Sequence, residues 1–223
     1  MAIIKVQVVF DFLCAWCYIA KHNLDRAISL YQKTYPGGRS DTFIITWAPY
    51  YLNYNTENHS VNKLDLAKVR LSHLTPDQHT ALSQRMERAG RAAGIDFKWG
   101  GMIGPDTRDA HRLVRLSLTK SAEVQDAVVE GLFSAYQERE LDISDREVLR
   151  NVAVQAGING EEVGAWLASD VDVSVVDDEA KKNKSLFSKS GVPTFVIQDE
   201  HHLDGVQDPM DLLEVFIKVR EET

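Results

Sequence analysis

Cys14-Ala15-Trp16-Cys17 is the stretch from which this chain is best read. These are the only two cysteines in 223 residues, and they stand three apart. They sit where an apolar, β-like run from Ile3 to Phe12 gives way to a helical pattern. Two thiols at that spacing, at a strand-to-helix junction, point to a redox pair. A helix N-terminus carries unpaired N–H groups and a partial positive charge, and both favour thiolate over thiol. A lowered pKa is what makes a thiol a usable nucleophile and leaving group. Two plainer uses compete. A zinc site would need two more ligands, and no third cysteine exists; His201 and His202 are adjacent and read as part of a polar turn. Two buried structural cysteines would pack as small hydrophobes, but that leaves the spacing unexplained. No metal is expected.

Hydrophobic residues make up 44% of the chain and charged ones 26%, the balance of an ordinary globular protein with material for a real core. A formal charge of −8 argues against nucleic acid or an anionic membrane as the main partner. No apolar run approaches the roughly 20 residues of a membrane span. The start of the chain enters an alternating strand without the regions of a signal peptide. The expectation is a cytoplasmic protein, where a C-x-x-C pair rests reduced and cycles.

Ile4, Val6, Val8 and Phe10 alternate, and Val9 and Phe12 make the other face apolar too, so the first strand is expected to be buried on both sides. Ile19, Leu24, Ala27, Ile28 and Tyr31 fit a helix ending before Pro36-Gly37-Gly38. Thr42 to Trp47 is a second β-branched run, closed by Pro49. From about Lys63 to Ser169 the pattern is helical throughout. Capping boxes are predicted at Thr75–Gln78 and Ser144–Glu147, and Asn159 is a further cap. Val128, Val129, Leu132, Phe133 and Tyr136 form one stripe. A charged helix around Asp177 to Ser188 ends at Gly191. Pro193 to Ile197 and His202 to Val206 read as strands, and Asp208-Pro209 opens a final amphipathic helix. This order predicts an α/β thioredoxin fold with a large all-helical insertion. The thioredoxin-like domain would comprise 1–62 and 170–223, and the helical insertion 63–169.

Gly191-Val192-Pro193-Thr194-Phe195 is the second strong signal. A proline opening a strand lacks a donor, and edge or turn placement explains it on residues alone.

Taken together, Asp11-Phe12-Leu13-Cys14-Ala15-Trp16-Cys17-Tyr18-Ile19, Asp106-Thr107-Arg108-Asp109-Ala110-His111-Arg112-Leu113, Leu132-Phe133-Ser134-Ala135-Tyr136, and Gly191 to Val196 with Gly205-Val206-Gln207 resemble the DsbA-like thioredoxin superfamily. Within it, the chain is similar to the FrnE-like oxidoreductases, over nearly the whole length. The resemblance implies a thiol–disulfide oxidoreductase, with Cys14 as nucleophile and Cys17 as resolving thiol. It implies a cis Val192–Pro193 bond facing an extended substrate. No cofactor would be tightly bound, glutathione would be a plausible co-substrate, and the partners would be protein or small-molecule thiols and disulfides. Homodimers are common among relatives. Three departures stand out: Ala15 where the family usually has Pro, Asp106 where relatives often have Asn, and Ala20 where they often have Gly. A carboxylate near Cys14 would raise its pKa.

Around the motif, Asp11 could help move the Cys17 proton, although a hydrogen-bonded residue fixing the turn is the favoured reading. Trp16 is expected to be a surface aromatic offering apolar contact to substrate, alongside Val192 and Pro193. His111, with Asp106, is a candidate auxiliary group; a lone histidine on an amphipathic helix is more often a packing residue. Lys21 and His22 read as a solvated helix face, as does Lys181-Lys182-Asn183-Lys184. Two rival functions remain. One is a glutathione-dependent isomerase or transferase on the same scaffold, as in 2-hydroxychromene-2-carboxylate isomerase and kappa-class glutathione transferases. The other is a redox-linked chaperone or binding module without turnover.

Overall fold

A computed structural model describes residues 1–222. Strand β1 (Ile3–Phe10) leads into helix α1 (Ala15–Thr34), a short 3-10 turn and β2 (Thr42–Pro49). Then come β3 (Val61–Asn62), α2 (Lys63–Arg70), α3 (Pro76–Ala93), β4 (Met102–Ile103), α4 (Arg108–Ser117), α5 (Ala122–Gln137), α6 (Arg146–Gln155) and α7 (Gly160–Ala168). Helix α8 (Val173–Leu186), β5 (Thr194–Ile197), β6 (His201–Asp204) and α9 (Pro209–Glu221) complete the order. The chain divides into two compact units, Met1–Tyr50 with Lys181–Thr223, and Tyr51–Ala180. The second therefore takes in 51–62 and 170–180 as well as the span 63–169.

In the first unit the sheet runs β2-β1-β5-β6, with β1 and β2 parallel and the other pairings antiparallel. That is the thioredoxin fold. Helices α1 and α9 pack together, and Ile4, Val6 and Val8 of β1 are fully buried on one face. Tyr31 of α1, Phe43 of β2 and Phe216 of α9 meet edge-to-face at that core. Helix α1 stops at Tyr35, whose extended backbone precedes Pro36 and Gly37, the latter at φ 81°. Helix α9 starts as expected: the Asp208 carboxylate accepts the Met210 N–H, and Pro209 occupies the first turn.

The other face of β1 corrects an expectation. Only its end, at Val9, is covered on that side; Ile3 and Lys5 are exposed and Gln7 is half-buried. Alternation is present after all, because covering elements reach only the far end of the sheet. There α8 is tied to β2 by Asn183, whose side-chain amide donates to the Pro49 carbonyl at 2.9 Å. Asn183 is thus buried, unlike the exposed lysines beside it, and that segment is not uniformly solvated.

The second unit is mostly helical. Its stripe of Val128, Val129, Leu132, Phe133 and Tyr136 is buried throughout. The Thr75–Gln78 box forms with both reciprocal bonds. At α6 the cap is Asp145, accepting the Glu147 N–H, while the Ser144 hydroxyl donates to Asp142. The cap moves by one residue and the expected Ser144–Glu147 box does not form, because Val148 now stands at the third helical position. Asn159 caps α7 by accepting from Glu161 and Glu162. Residues 94–107 are not helical, contrary to the expected continuous helical block. Gly94 ends α3 in the left-handed region, and β4 pairs with β3. Gly101 sits at φ 84°, where an added Cβ would collide with the Glu140 carbonyl. Among the described residues, no helix is long and apolar enough to cross a membrane.

Candidate active site

The end of β1 is shaped by its own residues. Phe10 packs edge-to-face on Phe12 and on Trp47, which roots the turn in the core. Asp11, fully buried, accepts the Cys14 N–H at its carbonyl (3.1 Å) and the Leu13 N–H at its carboxylate (3.4 Å). These bonds fix the turn that delivers Cys14 to the N-cap of α1.

Cys14 has extended backbone angles (φ −86°, ψ 108°), and no side chain caps the helix. First-turn N–H groups are then available to the sulfur. The Cys17 side chain, donating to Cys14, is the main cause of a Cys14 pKa below the ordinary thiol value. The backbone N–H groups of Cys17 and Trp16 add to it, while burial and the Asp11 charge oppose it. Cys17 is the reverse case. Burial pushes its thiol well up, and the negative charge wanted on Cys14 adds to the effect. Both thiols are free, 3.4 Å apart, beyond the roughly 2.05 Å of a disulfide. Cys14 keeps 8% of its surface exposed and Cys17 none. The pair therefore consists of a reachable, ionisable sulfur backed by an enclosed, protonated one.

Facing it is the loop before β5. The Cys14 sulfur lies 3.7 Å from the Val192 carbonyl oxygen. The Val192–Pro193 peptide is cis. Gly191 holds φ 71° with its N–H bonded to Phe187, and the Thr194 hydroxyl closes back on the Gly191 carbonyl. Pro193 is buried and its carbonyl accepts the Gly205 N–H, while Val192 and Trp16 are half-buried beside the sulfur and at the start of the helix.

The sequence residues from Asp11 to Cys17 and Val192–Pro193 thus come together in the first unit. Asp106 and His111 belong to the helical unit. There Asp106 accepts the Arg108 N–H at 3.0 Å, and His111 is buried with its ring 5.8 Å from that of Tyr51. The carboxylate whose charge acts on both thiols is Asp11. Lys21 overturns the solvated-face expectation: its side chain is 4% exposed and pairs with Asp25 at 2.8 Å. It falls one helical turn after Cys17, on the inward side of α1, and Asp25 at i+4 was the available signal. Gly191 was also readable, as a glycine one residue ahead of the X-Pro. Among the described residues, no group of three or more His, Cys, Asp or Glu side chains could hold a metal ion.

A parallel-then-antiparallel four-stranded sheet with a dithiol at the leading end of its first helix defines a thioredoxin-fold protein. The chain belongs to the DSBA-like thioredoxin domain family, whose model matches residues 5–217. Among solved structures it is similar to a probable DsbA oxidoreductase from Streptomyces coelicolor, at 21% identity and a TM-score of 0.81, over 99% of this chain and 91% of that one. It is also similar to the cytosolic disulfide reductase DsbM from Pseudomonas aeruginosa with GSH, at 15% identity and 0.64, over 98% and 100%. A 2-hydroxychromene-2-carboxylate isomerase matches at 16% identity and 0.65, over 98% and 97%. At these identities the likeness is one of fold. No curated protein matches the sequence.

Proposed function

We propose that the protein is a thiol–disulfide oxidoreductase working through Cys14 and Cys17. The Cys14 thiolate attacks one sulfur of a substrate disulfide, forming a mixed disulfide and expelling the other sulfur as thiolate. Cys17 then gives up its proton, which the expelled substrate thiolate takes directly or through water, and attacks the Cys14 sulfur. The second substrate thiolate leaves, and a Cys14–Cys17 disulfide remains. Two electrons pass from the dithiol to the substrate, and the reverse sequence donates a disulfide. The observation that carries this reading is the opposite tuning of two sulfurs in contact, with only the lower-pKa one keeping any accessible surface.

Val192, Pro193 and Trp16 would frame the substrate next to Cys14. Asp11 serves by holding the turn, and no step is given to Asp106 or His111. Glutathione is the small thiol that would recycle the pair, in keeping with the GSH in the similar DsbM structure. The cytoplasm is the compartment that suits two free thiols.

The test is reduction of insulin by the purified protein. Wild type should be active, and Cys14→Ser should be inactive while keeping its far-UV circular dichroism. Equal turnover by both would reject the reading and turn attention to glutathione chemistry that needs no Cys14.

A further inference from the structure

Strand β2 lies at the margin of the sheet, with β1 on one side only. The Thr42 N–H donates to Ala2 and the Tyr50 N–H to Phe10, so even-numbered residues turn their main-chain groups toward β1. Odd-numbered residues turn theirs outward. Phe43 and Ile45 each present an N–H and a C=O there with no partner among the described residues. Thr42, Ile44 and Thr46 are exposed on one face, Ile44 at 46%. Phe43 and Ile45 are only half-buried, although Phe43 meets Tyr31 and Phe216 edge-to-face at the α1–α9 core.

Natural sheets guard such margins with charges, proline or brevity. The other margin, β6, does so: it is four residues, His201-His202-Leu203-Asp204. Strand β2 is eight residues long and carries no charge, in a chain of net charge −8. Its only proline is the last residue.

We propose that β2 pairs antiparallel with β2 of a second copy, about a two-fold axis through Ile44, joining two sheets into one. The segment Thr42-Phe43-Ile44-Ile45-Thr46 reads almost alike in both directions. Centred on Ile44, antiparallel pairing sets threonine against threonine, Phe43 against isoleucine and Ile44 against its own copy. Threonine pairs and aromatic–β-branched pairs are types that stabilise neighbouring strands. The Phe43–Ile45 pairs exchange both their N–H···O bonds, which uses every outward main-chain group of those two residues. Ile44 falls at the non-hydrogen-bonded position, where facing side chains come closest. Self-matching about an axis is what an isologous interface requires, and an arbitrary peptide would not need this near-palindrome. An interface made of two such strands lies below the roughly 1,200 Å² of stable complexes, so the dimer dissociates on dilution. It does not depend on the thiol chemistry.

Sedimentation equilibrium of the reduced full chain, from about 1 μM to about 1 mM, reads the association directly. The expected result is a reversible monomer–dimer equilibrium. Ile44→Lys, which opposes two ammonium groups, should weaken it by about tenfold or more. Its far-UV circular dichroism and insulin reduction should be unchanged. The Phe43 and Ile45 amides should gain hydrogen-exchange protection with concentration in wild type only. In a Cys14→Ser/Cys17→Ser background, Ile44→Cys should oxidise to a covalent dimer, and Lys5→Cys on the neighbouring strand should not. A monomer at every concentration overturns the proposal. So does a dimer indifferent to Ile44→Lys, cross-linking as efficient from position 5, or amide protection that appears only when an unrelated extended peptide is added.

Discussion

Ala15→Pro probes the first turn of α1. Ala15 is the first helical residue, a position whose N–H has no acceptor within the helix, and it meets none elsewhere among the described residues. The preceding residue, Cys14, has φ −86° and ψ 108°, in the extended region that proline imposes on its predecessor. The N–H groups that favour the Cys14 thiolate are those of Cys17 and Trp16. No bond is therefore lost, and the substitution acts by narrowing the unfolded ensemble. That stabilises by about 0.4–1 kcal/mol, or a Tm rise of about 1–4 °C for a chain of this length. Thermal melts followed by far-UV circular dichroism, in excess reductant so that no disulfide contributes, measure it. The pH midpoint for alkylation of Cys14 should stay where it is in wild type. A lower Tm would refute the reasoning: Ala15 is buried, and the ring would then be meeting its neighbours. A displaced alkylation midpoint would refute it as well, by showing that the Ala15 N–H serves the sulfur.

Three further outcomes are expected. Cys17→Ala removes the main group holding the Cys14 pKa down, so the alkylation midpoint should move to higher pH, and mixed disulfides with substrate should accumulate for want of a resolving thiol; mass spectrometry counts them. Asp11→Asn takes away a negative charge that raises both thiols, so that midpoint should move to lower pH, and an unmoved midpoint would leave Asp11 as a turn residue alone. The Asp41 carboxyl is held below its usual pKa chiefly by the Ala2 N–H, with Tyr31 and Arg220 helping. Its folded-state pKa being depressed, it stabilises above the unfolded carboxylate pKa of about 3.9, and that contribution fades as pH falls through the folded value. Asp41→Asn should lower Tm by several degrees at pH 7 and by progressively less below pH 4; a pH-independent gap would contradict this.

The thioredoxin frame was legible because its signals are local. Alternation marks β1, Pro36-Gly37 marks the stop of α1, and Asp208-Pro209 marks the start of α9. The position of the dithiol was equally plain from Cys14 and Cys17 alone. Their opposite ionisation was not, because it depends on burial and on a contact between sulfurs. Lys21 was misread through its charge: helical spacing puts it on the face of Cys17 and Leu24, where its ammonium is paired with Asp25. Residues 94–107 were misread in spite of visible punctuation, since Gly94, Gly100-Gly101 and Gly104-Pro105 all break a helix. How far the second face of β1 is covered could not be read locally. It depends on contacts between residues far apart in the chain, such as the bond from Asn183 to the Pro49 carbonyl.

The order of the sheet has a consequence for synthesis. Strand β1 is made before the helical unit, yet one of its two neighbours, β5, is translated only after that unit is complete. Until residue 194 leaves the ribosome, β1 has a vacant side and Cys14 lacks the Val192 carbonyl that later stands over it. A nascent chain thus carries its two sulfurs outside their finished surroundings while residues 18–193 are being made. Oxidants or chaperones that meet it then encounter thiols of a different character from those of the completed protein.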